Sequence, residues 1–198
     1  MIKIAVSFKK VTEMNSIINS RKPRILWVCA YCLLDTTSGG AMSVKKILHQ
    51  LRKSGYLVEI LGATNFDNAV ALDQLKYLKK AISDQTNPEI KFLEIEDDGI
   101  THRLVRTKTT QRQLMNTEES NLLFTLYVDR LERFKPDLIF VYGGTLIELL
   151  ITAEARARNI PSVAYLVNEN YQGTRWCRDV DLIITDTAAT SNYYQKKY

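Results

Sequence analysis

Strand-length apolar runs alternate with helix-length amphipathic segments along most of this chain. Residues 24–31 (RILWVCAY) are almost continuously apolar, which is typical of a strand buried on both faces of a parallel sheet. Residues 41–55 (AMSVKKILHQLRKSG) follow with Val44, Leu48 and Leu51 at helical spacing. Such alternation favours a parallel sheet covered by helices on both faces. The chain is therefore predicted to be an α/β protein with a doubly wound, Rossmann-like sheet of about six to seven strands.

The same alternation continues to the end of the chain. Further strands are predicted at 56–63, 90–96, 100–105, 138–142, 162–167 and 181–185. Further helices are predicted at 69–83, 118–134, 145–159 and 188–198. The tripeptide Asp97-Asp98-Gly99 is a hairpin signal. The first 22 residues are interpreted as a leader, either an extra strand and helix or a loose arm, so the domain proper spans 23–198.

The ligand site is expected at the carboxyl ends of the predicted strands. In the common strand order 3-2-1-4-5-6, ligands bind beside strand 1, outside the carboxyl ends of the strands. The loop that ends in Ser38, Gly39 and Gly40 should lie there and start a helix. Glycine lets the backbone approach a ligand, and a helix start offers N–H groups to a phosphate or a sugar hydroxyl. The alternative is a strand-to-helix turn that needs a positive φ.

Two more turns belong to the same expected site. Tyr142, Gly143 and Gly144 join a strand to a helix, so the same helix-start argument applies to them. Asn168 and Glu169 follow the next strand, where polar side chains could hydrogen-bond a polyol. A tight turn at the glycines and a polar loop that only closes the sheet are the alternatives. These turns complete the candidate substrate-binding set.

Several chemistries are excluded by the motifs that the sequence lacks. There is no G-x-G-x-x-G and no Gly-Lys-Ser/Thr element, which argues against a nicotinamide enzyme and against an NTPase. Neither a Ser-His-Asp arrangement nor a metal-ligand spacing can be placed, so catalytic residues are not assigned and no metal is expected. Cys29 and Cys32 are interpreted as strand or loop residues rather than a redox pair. Asp186 is expected to cap the last helix.

The net charge of +5 favours anionic partners, although a mixed, solvated surface is an equal alternative. Basic clusters interleaved with aromatic residues are missing, so nucleic acid is not an expected partner. The basic residues Arg103, Arg106, Lys108 and Arg112 could approach an anionic membrane surface or a phosphorylated acceptor. No apolar run nears the roughly 20 residues of a membrane span. A cytoplasmic protein is expected, with peripheral contact at the inner face of the membrane as an option.

Taken in order, these segments resemble the amino-terminal half of family 4 glycosyltransferases, which have the GT-B fold. The resemblance covers about residues 24–198 and is carried by RILWVCAY, a loop ending in Gly-Gly, LRKSGY, LVEILGA, KFLEIEDDGITHRLV, FKPDLIFVYGG, NIPSVAYLVNEN and VDLIITDTAATSNYYQKKY. It implies two Rossmann-like domains that face a cleft. The amino-terminal domain would hold the sugar acceptor, which is a glycan, a lipid or a small molecule. The carboxyl-terminal one would hold the nucleotide-sugar donor and a pair of glutamates. It further implies transfer with retention and no metal or other cofactor.

Carried over to this chain, Gly39 and Gly40 would lie by the donor phosphates or the acceptor. The histidine that many members have after the strand at 162–167 is Asn168 here, which can hydrogen-bond a hydroxyl but cannot act as an acid near neutral pH. The chain ends at Tyr198, where the linker to the donor domain is expected, so it is expected to be incomplete as a transferase. The alternatives are a stand-alone, non-catalytic subunit that pairs with a separate catalytic half, and an unrelated protein that binds a small phosphorylated ligand.

Overall fold

The structure is a computed structural model that describes residues 21–68, 76, 78, 80, 92–108, 115–143, 145–171 and 174–198. Its strands are β1 (Arg24–Cys29), β2 (Leu57–Ala63), β3 (Phe92–Asp97), β4 (Ile100–Val105), β5 (Leu138–Tyr142), β6 (Ser162–Tyr165) and β7 (Leu182–Ile184). Its helices are α1 (Gly39–Lys53), α2 (Thr117–Arg133), α3 (Leu146–Ala157) and α4 (Ala188–Lys197), with a 3-10 helix at Thr174–Arg178. The predicted leader up to residue 20 and most of the helix predicted at 69–83 lie outside the described residues.

The seven described strands form one sheet in the order β3-β4-β2-β1-β5-β6-β7. All neighbours pair in parallel except β3, which runs antiparallel to β4 at the edge of the sheet. When the six parallel strands are numbered by themselves in chain order, they have the order 3-2-1-4-5-6. The direction in which successive strands are added to the sheet reverses between β1 and β5. The predicted α/β, doubly wound, Rossmann-like fold is confirmed.

Strand β1 is buried on both faces, as its continuous apolar run requires. Its residues alternate between two core clusters because successive side chains of a strand point to opposite faces. Leu26 and Val28 join the cluster that holds the buried residues of α2 and α3. Ile25 and Trp27 join the cluster that α1 covers on the other face. Helices on both faces are therefore what buries a strand that has no polar side.

The hairpin between β3 and β4 turns at Asp98 and Gly99. Both residues lie in the left-handed region, with φ of 48° and 69°. A two-residue turn with positive φ at both central positions matches the twist of the flanking strands. The hairpin predicted from Asp97-Asp98-Gly99 is thus confirmed.

Helix α2 begins with a complete capping box. The Asn116 side chain accepts a hydrogen bond from the Glu119 amide, and the Glu119 carboxylate accepts one from the Asn116 amide, each at 2.9 Å. These two bonds satisfy amide groups that the first turn of a helix leaves without intrahelical partners.

We expect the substitution Asn116→Ala to lower the free energy of unfolding by about 1 kcal/mol, because one helix-start amide loses its acceptor. For a chain of this size, the thermal midpoint should fall by roughly 2–4 °C. Calorimetry measures both quantities. The control is Asn121→Ala at an exposed position inside the same helix. Alanine is the better helix former there, so equal losses for the two variants would contradict the capping role.

No helix within the described part of the chain is long and apolar enough to cross a membrane.

Candidate functional site

A cleft of about 400 Å³ opens at the carboxyl ends of β1, β2, β5 and β6. This volume falls within the range of about 300–1,000 Å³ that is usual for small-molecule sites. The cleft lies between the loops that follow β1 and β5, where the strand order reverses. That reversal is the place where open parallel sheets bind ligands.

The cleft brings five of the candidate residues together, although they are far apart in sequence. Its lining includes Ser38, Gly40, Tyr142, Gly143 and Asn168. They come from three loops at one edge of the sheet, because all the strands that precede those loops run in the same direction.

Two of the other three candidates do not line the cleft. Gly39 is the first, exposed residue of α1 and has no neighbouring atom within 4 Å of where a Cβ would be. Glu169 is half-buried and does not line the cleft, whereas Asn168 and Asn170 on either side of it do. The Asn170 amide donates to the Asn168 side chain at 2.9 Å, so the two residues form a tight turn at the cleft. Gly144 lies outside the described residues.

Gly40 packs directly against Tyr142 across the cleft. A Cβ at Gly40 would lie 1.8 Å from the Tyr142 hydroxyl oxygen and 2.9 Å from its Cζ atom. Neither Gly39 nor Gly40 has a positive φ, so the interpretation of this pair as a turn that needs one is wrong. Gly40 is instead required by close approach, because a Cβ there would overlap the Tyr142 side chain.

Gly143 combines a tight turn with a position in the lining. Its φ is +120°, a conformation that side chains of other residues disfavour. A Cβ there would lie 3.2 Å from Glu148 Oε1 and 3.4 Å from the Tyr31 ring. The turn interpretation is therefore correct for Gly143, and its backbone also forms part of the cleft wall.

Acidic and amide residues from two loops form another wall, which the sequence interpretation missed. Asp35, Asn65 and Asp67 all line the cleft. The buried Asp35 carboxylate accepts hydrogen bonds from the Thr37 amide at 2.8 Å, from the Thr37 hydroxyl at 2.7 Å and from the Asp67 amide at 2.8 Å. These bonds join the loop after β1 to the loop after β2.

Tyrosine side chains supply the aromatic part of the lining. Tyr31 and Tyr142 meet edge to face, with their ring centroids 6.3 Å apart, and Tyr171 hydrogen-bonds to Tyr142. Burial, the largest cause, raises the pKa of the Tyr142 hydroxyl, and the nearby Tyr171, Cys29 and Asp67 raise it further. The hydroxyl is thus neutral at physiological pH and can both donate and accept hydrogen bonds.

Glu148 lies directly behind the cleft wall. Its Oε2 atom accepts hydrogen bonds from the Thr145 amide at 2.6 Å and from the Thr145 hydroxyl at 2.5 Å, whereas Oε1 is buried without a partner. Burial raises the pKa of Glu148 to about 7, against the lowering effect of the Thr145 hydrogen bonds. The carboxyl group is therefore close to half-protonated near neutral pH.

Asp186 does not cap α4, so that prediction is wrong. The cap is Thr187, whose side chain accepts from the Thr190 amide at 3.1 Å because it directly precedes the first helical residue. Asp186 lies one residue too early and instead accepts a hydrogen bond from the Tyr165 hydroxyl at 2.5 Å.

The cysteines are buried, and Cys32 forms part of the cleft lining. Cys29 and Cys32 are fully buried thiols, and burial raises the pKa of Cys32 to about 12. Within the described ranges, no three His, Cys, Asp or Glu residues are grouped in a way that could hold a metal ion. Arg103 is paired on the sheet with Glu59 and Glu94, at 2.8 Å and 3.0 Å. Arg112 lies outside the described residues.

Comparison with solved structures identifies GT-B fold proteins as structural neighbours. One is a UDP-GlcNAc 2-epimerase from Methanocaldococcus jannaschii, with 10% identity, a TM-score of 0.52, and coverage of 88% of this chain and 42% of that one. Another is a UDP-N-acetylglucosamine 2-epimerase with 12% identity, a TM-score of 0.51, and coverage of 89% and 45%. The chain thus spans less than half the length of these proteins.

At such low identity, the likeness shows the fold alone. No protein-family model matches the chain, and no curated protein sequence matches it either. The chain has the Rossmann-like fold found in one half of a GT-B protein.

Proposed function

We propose that this chain is the acceptor-binding, amino-terminal domain of a glycosyltransferase of family 4 type. The sugar would move, with retention, from a nucleotide-sugar donor that a second domain binds to an acceptor held in the cleft. The observation that carries the proposal is the cleft at the strand-order reversal of a GT-B-type half, lined by groups that suit hydroxyls.

The lining offers several complementary partners for a sugar. The Asn168 and Asn170 amides and the Tyr142 hydroxyl can each donate and accept hydrogen bonds. The rings of Tyr31 and Tyr171 add apolar surface beside these polar groups. Such a mixture suits a ring that carries hydroxyls on its rim and C–H groups on its faces.

An exposed apolar strip on α3 is the proposed contact for the second domain. Leu146, Leu149 and Leu150 share one side of the helix at i, i+3 and i+4 spacing, and Leu146 is 74% exposed. Leu146 follows the Gly143 turn by three residues, so the strip begins beside the cleft. Apolar residues grouped in this way commonly mark a binding surface. A domain that closes over the cleft would cover them.

The substitution Gly40→Ala tests the cleft with the smallest possible side chain. The new Cβ would overlap the Tyr142 hydroxyl, so the ring must move and change the shape of the cleft. We expect the affinity for D-glucose to fall at least about tenfold, which equals about 1.4 kcal/mol. Chemical-shift titration of the ¹⁵N-labelled chain measures the dissociation constant.

The matched control is Gly39→Ala, because a Cβ at Gly39 would meet no atom within 4 Å. We expect it to bind glucose like the unmodified chain and to be equally stable or slightly more stable. Unchanged glucose binding in a folded Gly40→Ala variant would remove the cleft from the proposal. If the unmodified chain binds no sugar in the cleft, the proposed function itself is wrong.

A non-catalytic subunit that pairs with a separate catalytic half would use the same cleft and the same leucine strip. The two arrangements differ in covalent linkage, so the intact mass of the native protein in its source cells separates them. A mass about twice that of this chain indicates a linked donor domain, since a GT-B protein contains two such halves. A mass near 22.7 kDa indicates a separate subunit.

A further inference from the structure

The charge around the cleft points to the class of ligand that it takes. Asp35 and Asp67 line the cleft, and the other described residues of its lining are uncharged. Because the whole chain carries a net charge of +5, this negative charge is a local feature. We infer that the cleft selects an unphosphorylated sugar or polyol and discriminates against a phosphorylated one; the inference rests on the proposed function.

The two carboxylates are held at the cleft by different means. Asp35 is 2% exposed, and its three hydrogen bonds leave it little freedom to move. Asp67 is exposed, and its amide is anchored to Asp35 at 2.8 Å. Its carboxylate is close enough to Tyr142 to be among the charges that oppose ionisation of that hydroxyl. Both negative charges therefore act on the space between the loops.

Two helix starts oppose these charges but do not outweigh them. Helices α1 and α3 begin at the cleft, and each N-terminus carries roughly half a positive charge. Two halves give about +1 against −2 from the two carboxylates. Glu148 in the first turn of α3 makes the balance more negative when it is ionised. A phosphate group, with a charge of about −1.5 to −2, is therefore repelled.

The same groups favour neutral or cationic ligands. A carboxylate accepts hydrogen bonds from hydroxyl or ammonium groups, and a side-chain amide can do either. Glucosamine, which is cationic below its amine pKa, should therefore bind at least as tightly as glucose. The family resemblance places Gly39 and Gly40 beside either the donor phosphates or the acceptor. The negative charge of the cleft favours the acceptor.

The test compares D-glucose, D-glucosamine and D-glucose 6-phosphate on the full chain by chemical-shift titration, with the Gly40 and Gly143 amides as reporters. We expect glucose 6-phosphate to bind at least about tenfold more weakly than glucose, with a smaller ratio at high salt. If glucose and glucose 6-phosphate bind equally, or the phosphate binds more tightly, the inference is overturned while the proposed function stands. If none of the three binds in the cleft, the proposed function fails and the inference fails with it.

The variant Asp67→Asn shows whether the discrimination comes from the cleft charge. The substitution keeps the backbone bond to Asp35, and asparagine has nearly the same shape as aspartate, so we expect the variant to fold. We expect the dissociation constant for glucose 6-phosphate, divided by that for glucose, to shrink at least about threefold, since one of the two negative charges is removed. The control is Asp129→Asn near the carboxyl end of α2, because Asp129 does not line the cleft. An unchanged ratio in Asp67→Asn, or an equal change in both variants, would overturn the inference.

Discussion

Replacing Glu59 with glutamine is expected to lower the free energy of unfolding by about 3 kcal/mol. Glu59 lies on β2 and accepts hydrogen bonds from two arginines: from Arg130 Nε at 3.0 Å and Nη2 at 3.1 Å, and from Arg103 Nη1 at 2.8 Å. The three side chains are only 15–16% exposed. Glutamine would remove the negative charge, so the largely buried Arg130 guanidinium would lose this ion pair and Arg103 would keep only its pair with the exposed Glu94. Denaturant titration measures the loss.

Glu94→Gln is the matched control, because Glu94 makes the same kind of contact with Arg103, at 3.0 Å, but is 53% exposed. Exposed ion pairs contribute little, so we expect a loss below about 0.5 kcal/mol. Similar losses of unfolding free energy in the two variants would mean that the burial of an ion pair does not determine its contribution to stability in this network. The network also joins β2 and β4 to α2, so its loss should loosen the cover of one sheet face.

The central place of β1 follows from the sequence because it depends on a pattern that tertiary contacts cannot easily override. The apolar run at β1 has no polar side, so only a central position with helices on both faces can bury it. The hairpin turn at Asp98 and Gly99 is similarly local, since it depends on two residues that tolerate positive φ. The edge at which the loops meet then follows from the common direction of the strands.

The composition of the cleft is harder to predict, because it depends on which side of a loop each residue occupies. Asn65 and Asp67 lie in the loop that follows β2, so a wider search of the strand ends could have found them. Neighbouring glycines differ for a similar reason: a helix turns about 100° per residue, so Gly39 points to solvent while Gly40 contacts Tyr142. Two of the hydrogen bonds that place Asp35 come from nearby Thr37, but the third comes from Asp67, which only the folded chain brings close.

The buried carboxyl group of Glu148, behind the cleft wall, gives the protein a testable pH dependence of stability. Helices α2 and α3 both start with a capping box, but the two glutamates differ. Both carboxylate oxygens of Glu119 accept hydrogen bonds, one from the Lys108 amide at 2.7 Å and one from the Asn116 amide at 2.9 Å. Glu148 has a buried Oε1 without a partner, which gives its ionised form a cost that Glu119 avoids.

Between about pH 5 and pH 8, the free energy of unfolding of the unmodified chain should therefore decrease relative to that of Glu148→Gln. The expected relative decrease is about 2.5 kcal/mol. The folded state raises the pKa of Glu148 from 4.5 to about 7, so between these values the native protein binds the proton that the unfolded chain has released. This stabilisation is complete below the unfolded pKa and is lost as the pH rises through the folded one. Denaturant titrations across this window measure it.

Other titrations must be separated from this effect, and the comparison of variants does so. The buried His102 has its pKa lowered from 6.5 to about 4, so its contribution to stability rises with pH, but it is common to both proteins. The thiols of Cys29 and Cys177, which face Glu148, have pKa values that burial raises far above the window. The control Glu119→Gln keeps Glu148 and should retain the pH dependence of the unmodified chain. Parallel curves for the unmodified chain and Glu148→Gln would mean that the Glu148 carboxyl is already ionised at pH 5 and that the wall behind Gly143 tolerates its charge.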